Sequence, residues 1–199
     1  MYNTKAATIN NDEFSSSHMP VGINENVTIK DITIEKSPTG RDFLRITFEN
    51  DAEQTVEMTE WKNEKNMWIK TDEELQRRDN MQFGRILQII NCFFETTPDV
   101  ELNSFVDMIN WVKNILTPLM STKKKLRLKC IYDKNGYTKV SQNGIFIEPM
   151  DIKETQIKLF KRDLLERPIK ADVETSADPL ASVTTDSTPD TASPNGLPF

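Results

Sequence analysis

Between residues 26 and 61, apolar positions alternate with polar ones, and the alternation slips once. Val27 and Ile29 share one parity, whereas Ile32 and Ile34 share the other. A strand whose alternation shifts by one residue carries an insertion, the mark of a bulge or a sharp bend. Ser37-Pro38-Thr39-Gly40 then supplies a turn, with Pro fixing φ and Gly accepting a positive φ. The next strand sets Leu44, Ile46 and Phe48 on one face and Phe43, Arg45 and Thr47 on the other. A polar turn through Asn50, Asp51, Ala52 and Glu53 leads back to Val56 and Met58, completing a three-stranded antiparallel meander.

From Thr71 the period changes. Thr71 and Glu74 have capping-box spacing, and Phe83, Leu87, Ile90 and Phe94 recur at helical intervals, which predicts a helix over 75–94 that ends before Pro98. Ser104 and Asp107 open a second helix with the stripe Phe105, Ile109, Val112 and Leu116, and Trp111 is assigned to packing. Alternation returns at Leu126, Leu128 and Cys130, with Arg127 and Lys129 facing the other way. Asn135-Gly136 signals a hairpin, after which Tyr137 and Lys139 alternate with Thr138 and Val140. Asn143-Gly144 turns the chain into a short strand, Ile145-Phe146-Ile147. Over 152–165 the spacing of Ile157, Phe160 and Leu164 fits either a closing helix or an extended arm.

The ends read differently. Residues 1–20 are rich in Asn, Ser and Thr without apolar periodicity, so an unordered leader is expected, with structure starting near Val21. Residues 171–199 hold five acidic residues, four prolines and no Lys or Arg, a composition that cannot bury enough apolar surface to offset its ordering entropy. No apolar run approaches the ~18 residues of a membrane span, and the N-terminus lacks a signal-peptide core, so a cytoplasmic protein without membrane contact is expected.

Composition excludes several chemistries. His18 is the single histidine and lies in the leader, which argues against a His-based triad or a His-ligated metal. Cys92 and Cys130 form no Cys-x-x-Cys and read as reduced core residues. With no phosphate-binding Gly-rich loop and no nucleophile motif, neither enzyme activity nor a cofactor is expected. The formal charge of −6 hides an uneven distribution: residues 123–170 carry 13 Lys+Arg against 6 Asp+Glu, while the acidic tail follows them.

Three meandering strands, a helical insertion and a hairpin set resemble, in their order, an oligonucleotide/oligosaccharide-binding (OB) barrel. The resemblance implies a mainly β domain over 21–168, a five-stranded barrel with two helices (about 72–119) between its third and fourth strands. Disordered segments 1–20 and 169–199 would flank it. If Leu44, Ile46, Val56, Met58, Leu126, Leu128 and Val140 fill the barrel, alternation leaves Phe43, Arg45, Arg127, Lys129, Tyr137, Lys139 and Phe146 outside. Trp61, out of phase with Val56 and Met58, joins them. Phe146 alternatively covers a gap beneath the helices. Rings and cations on one open face suit a single strand, because each base offers a π-face and each linkage an anion.

The last three residues, Leu197-Pro198-Phe199, close the acidic tail. That ending resembles those of bacterial and bacteriophage single-stranded-DNA-binding proteins. The resemblance implies a non-enzymatic protein that coats single-stranded DNA during replication, recombination or repair. It also implies a tail, including Asp186, Asp190, Leu197, Pro198 and Phe199, that docks partner proteins and competes with DNA. Two other classes remain open on the sequence: an adaptor whose barrel binds protein through Phe43, Trp61 and Tyr137, and a divalent-ion nuclease using Asp31, Glu49 and Glu57. The sequence leaves homo-oligomerisation open.

Overall fold

The computed structural model describes residues 17–168. In chain order these residues form β1 (Gly22–Lys36), β2 (Asp42–Glu49), β3 (Thr55–Trp61), α1 (Asp72–Asn91), α2 (Phe105–Met120), β4 (Leu126–Tyr132), β5 (Thr138–Val140) and β6 (Ile147–Pro149). The protein is mainly β: a nearly closed five-staved barrel with two helices. Strands neighbour one another in the order β3-β2-β1-β4-β5, and β5 comes alongside β3 to bring the two edges together. Among the described residues, no helix is long and apolar enough to cross a membrane.

The slip in the first strand is a bulge. Ile29 pairs with Phe48, but the next paired residue, Asp31, meets Thr47, leaving Lys30 as the extra residue. A second irregularity lies between Asn24 and Val27, where Asn26 takes a positive φ of 58°, a conformation Asn tolerates better than most residues. Between them these breaks bend β1 so that its first half pairs with β4 and its second half with β2. One strand therefore serves two sides of the barrel, the usual way a sheet turns a corner.

β5 and β6 are two halves of one stave. Both lie on the same edge of β4, with Cys130 opposite Val140 and Leu128 opposite Ile147. Bonds from Ser141 N to Lys129 O (2.9 Å) and from Lys129 N to Phe146 O (2.8 Å) hold the two sides of the interruption. Residues 142–145 loop outward between them, which shifts the expected strand at 145–147 to 147–149. The loop also changes the side chain's direction at Phe146, which is fully buried in the core cluster. The outward reading of Phe146 is thus overturned, because strict alternation does not survive a looped-out segment.

The barrel core takes the expected residues: Leu44, Ile46, Phe48, Val56, Met58, Leu126, Leu128 and Cys130 are all buried. Met19 joins them. Residues 17–19 pair with the start of β3, with Met19 N donating to Thr55 O (3.0 Å), and Met19 Sδ sits 3.9 Å from Cys130 Sγ. The expected start near Val21 is therefore late by a few residues: a single methionine in a polar stretch gives no periodic signal. Both thiols are free, and burial pushes Cys92 and Cys130 up to about 12, so neither is a nucleophile near neutrality.

Both helices start at the expected caps. Thr71 and Glu74 make the reciprocal capping box, and Ser104 accepts from Asp107 N at 3.0 Å. On α1 the most buried residues are Gln82, Ile86, Ile89 and Ile90, so the inward face is rotated from the Phe83-Leu87 stripe, whose Phe83 meets Trp111 of α2 at 5.9 Å. Gln82 is buried because it joins a polar tie: Arg85 makes two bonds (2.8 and 2.7 Å) to Glu60, the last inward residue of β3, and Gln82 donates to Glu60 as well.

Candidate nucleic-acid interface

The register of β2 and β3 makes the candidate site. Phe43 lies opposite Trp61, both on the outer face, and their rings stack at 4.3 Å with an interplanar angle of 26°. Phe43 is only 6% exposed because the indole lies over it, whereas Trp61 keeps 39% of its surface in water. The pair is thus layered: Phe43 supports, and Trp61 presents. One row along, the Arg45 guanidinium sits 5.5 Å from the Phe43 centroid, within cation–π range. Glu35 (3.3 Å) and Glu57 (3.5 Å) flank it as ion pairs, and Arg45 Nε, although out of solvent, has no hydrogen-bond partner. The Glu57 carboxylate, 3.5 Å from Nε, is its nearest ion-pair partner.

The expected cationic trough is not what covers the middle of this sheet. Asp31, Glu35, Glu49 and Glu57 stand there with Arg45 and Lys30, the latter bonded to Glu49 at 2.6 Å. The carboxylates occupy outward positions on the same alternation that exposes Trp61. Cations gather instead at the end of the sheet, where the β1–β2 turn meets the segment after β3. Arg41 Nη2 donates to Lys62 O (3.2 Å) and pairs with Glu64, Lys36 pairs with Asp42 at 2.8 Å, and Lys65 pairs with Asp72 at 2.7 Å. Sequence reasoning missed Arg41 and Lys36 because both flank a turn, where alternation assigns no face.

Two cations expected outside on β4 are covered. Residues 150–168 form the extended arm, without helix, and run across the outer face of β4. Arg127 donates to Ile152 O (2.8 Å) and pairs with Glu148 and Glu25, each at 3.1 Å, and its side chain retains 14% exposure. Lys129 is fully buried. Its ammonium donates to Asn143 O (2.8 Å), Lys158 O (2.9 Å) and Asp163 Oδ2 (3.2 Å), and lies 4.7 Å from the Phe160 ring. Asp163 in turn accepts from Phe160 N (2.8 Å) and Asn143 Nδ2 (2.7 Å). The placement of Arg127 and Lys129 on an open binding face is therefore corrected: they fasten the arm. Alternation put them on the outside of the barrel, but outside the barrel is not outside the domain.

Burial opposes ionisation of Asp163, but the Phe160 amide, the Asn143 side chain and Lys129 outweigh it, so the carboxyl is held below its ordinary value. Glu148 behaves alike: burial pushes its carboxyl up, and bonds from Thr155, Gln156 N and Arg127 bring it net downward.

Tyr137 and Lys139 are exposed on and beside the β4–β5 hairpin, Tyr137 at 63%. They belong to the β4–β5 hairpin, whose β5 comes alongside β3. Asp133 organises that turn by accepting from Asn135 N (2.8 Å) and Tyr137 N (2.9 Å). The tail residues Asp186, Asp190, Leu197, Pro198 and Phe199 lie outside the described residues. Among the described residues, no group of three or more His, Cys, Asp or Glu side chains is placed to hold a metal ion.

Comparison of the chain with protein-family models, with curated proteins and with solved structures found no match.

Proposed function

We propose that this chain binds single-stranded DNA with little sequence preference through an OB-type barrel, without catalysing a reaction. The observation that carries the reading is the layered Phe43–Trp61 stack with Arg45 beside it, on the outer face of β2 and β3, where Trp61 keeps 39% of its surface exposed among the described residues. The strand order supports it: β1 between β2 and β4, and β5 approaching β3, is the neighbour pattern of a five-stranded OB barrel, whose second and third strands form the usual ligand face. A single strand needs a ring to stack on and a nearby cation, and Trp61 with Arg45, Arg41 and Lys36 offers both.

The carboxylates on the same face refine the reading. Binding rests on stacking and on the cationic end of the sheet, with the phosphates kept away from Glu57 and Asp31. The acidic segment 171–199, with its Leu197-Pro198-Phe199 ending, serves in this reading as a competitor for those cations and as a dock for replication or recombination proteins.

Titration of labelled oligo-dT with the full chain and with a chain truncated after Lys170, at low and at moderate salt, tests both parts. Binding of the full chain at low salt is expected, with truncation tightening it on the order of threefold or more and the difference shrinking as salt rises. Equal affinity of the two chains would remove the competing role of the acidic segment. Absence of binding by either chain would remove the nucleic-acid reading and favour an adaptor.

A further inference from the structure

We propose that the segment joining β3 to α1, with Trp68 at its tip, is a second base-stacking element that carries a single strand beyond Trp61; this rests on the single-strand reading above. Trp68 is 79% exposed and its neighbour Met67 73% exposed. Large apolar side chains so far into water are ordinary on a slack loop, but this segment is fixed. Asn66 Oδ1 accepts from Trp68 N (2.8 Å) and Ile69 N (3.1 Å), while the backbones of Asn66 and Ile69 bond each other in both directions, at 3.0 and 3.2 Å. Ile69, 8% exposed, anchors the turn from below.

Both ends are tied as well. On one side Arg41 holds Lys62 O and Glu64, and Asn63 donates to Asp79 and Gln82 of α1 (2.9 and 3.3 Å). On the other, Glu74 accepts from Lys70 N at 2.7 Å and Thr71 N at 3.3 Å. A turn held at both ends and in the middle displays the indole with little ordering left to lose on binding, which is the economy of a preorganised contact.

Charge identifies the occupant. Residues 62–70 carry three lysines, Lys62, Lys65 and Lys70, against one acid, Glu64, and Arg41 stands beside them. Lys65 pairs with Asp72 and Arg41 with Glu64, which leaves Lys62 and Lys70 as the segment's excess positive charge, and an exposed indole in a net-cationic segment matches a base flanked by phosphates better than it matches an apolar peptide. The acidic first turn of α1, with Asp72, Glu73 and Glu74, bounds the surface on the helix side and turns a polyanion away from it. Trp68 lies seven positions after Trp61, so their Cα atoms are at most about 25 Å apart. A strand toward the upper end of the usual range of about 4–16 nucleotides per OB fold reaches from one to the other, whereas one at the lower end occupies Trp61 alone.

The test uses the full chain, its Trp68→Ala and Trp68→Phe variants, and labelled oligo-dT of about 4 and about 16 nucleotides. With the longer strand, Trp68→Ala is expected to weaken binding about 5-fold or more, and Trp68→Phe to retain most of the affinity. With the shorter strand both variants should stay within about twofold of wild type, and the melting temperature should not move, since the side chain is exposed. If wild type binds the longer strand and Trp68→Ala binds it equally well, the second stacking element is wrong while the single-strand reading stands. Equal loss on both lengths would also overturn it, by placing Trp68 within the primary contact. Failure of wild type to bind either strand would overturn both readings.

Discussion

Replacing Trp61 by alanine is expected to weaken oligo-dT binding by about 5- to 150-fold, the loss of one base stack worth about 1–3 kcal/mol. The ring is the exposed layer of the Phe43–Trp61 pair, so it is the surface a base meets first. Trp61→Phe should keep most of the affinity, because any flat ring offers a π-face. Phe43 behaves differently. At 6% exposure it is the buried layer, and Phe43→Ala removes the support of Trp61 together with its own packing. That variant should lower the melting temperature as well as the affinity, whereas Trp61→Ala should lower affinity with the fold largely intact. Anisotropy of a labelled strand, with thermal melts of each variant, separates the two effects. Unchanged affinity in Trp61→Ala would remove this face from the interface.

Breaking the buried pair under the arm should have the largest effect on stability. Lys129 and Asp163 have fully buried side chains, and removal of one partner leaves the other charge uncompensated, at a cost of about 3–5 kcal/mol. Asp163→Ala is therefore expected to lower the melting temperature by roughly 6–20 °C, at about 2–4 °C per kcal/mol for a domain of this size. Lys129→Met combined with Asp163→Asn should recover part of the loss. The Asn oxygen still accepts from Phe160 N, and the methionine stem refills the space without a charge. The pair also sets an acid limit. Since Asp163 and Glu148 have folded-state pKa values held below the ordinary carboxylate range, their contribution is present in full above that range and is lost as pH falls through the lowered values. Urea midpoints measured downward from pH 5 should fall in wild type, and fall less steeply in the Lys129→Met, Asp163→Asn double variant.

Local patterns carried most of the fold into the sequence. The parity slip between Ile29 and Ile32 marked the bulge at Lys30, and the Thr71–Glu74 and Ser104–Asp107 spacings marked both helix starts, because bulges and caps are contacts between near neighbours. Phe43, Arg45 and Trp61 were legible for the same reason: their common face follows from two-residue alternation within adjacent strands. What alternation cannot show is a third layer. Lys129 and Arg127 point away from the barrel as expected, but residues 150–168 lie over them, and that cover depends on contacts such as Lys129 with Lys158 O and Asp163 that span tens of positions. Phe146 failed for a related reason, since the loop at 142–145 restarts the ladder in a register no local rule supplies. Tyr137 and Lys139 are exposed, as alternation along the β4–β5 hairpin expects.

The most direct measurement is the backbone amide and indole NMR spectrum of the full chain as oligo-dT is added. Binding across β2 and β3 predicts shifts concentrated at Arg41, Arg45, Thr59 and the Trp61 indole, with the amides of Lys129 and Asp163 unmoved beneath the arm. Shifts concentrated on the arm and β4, with Trp61 unaffected, would contradict it.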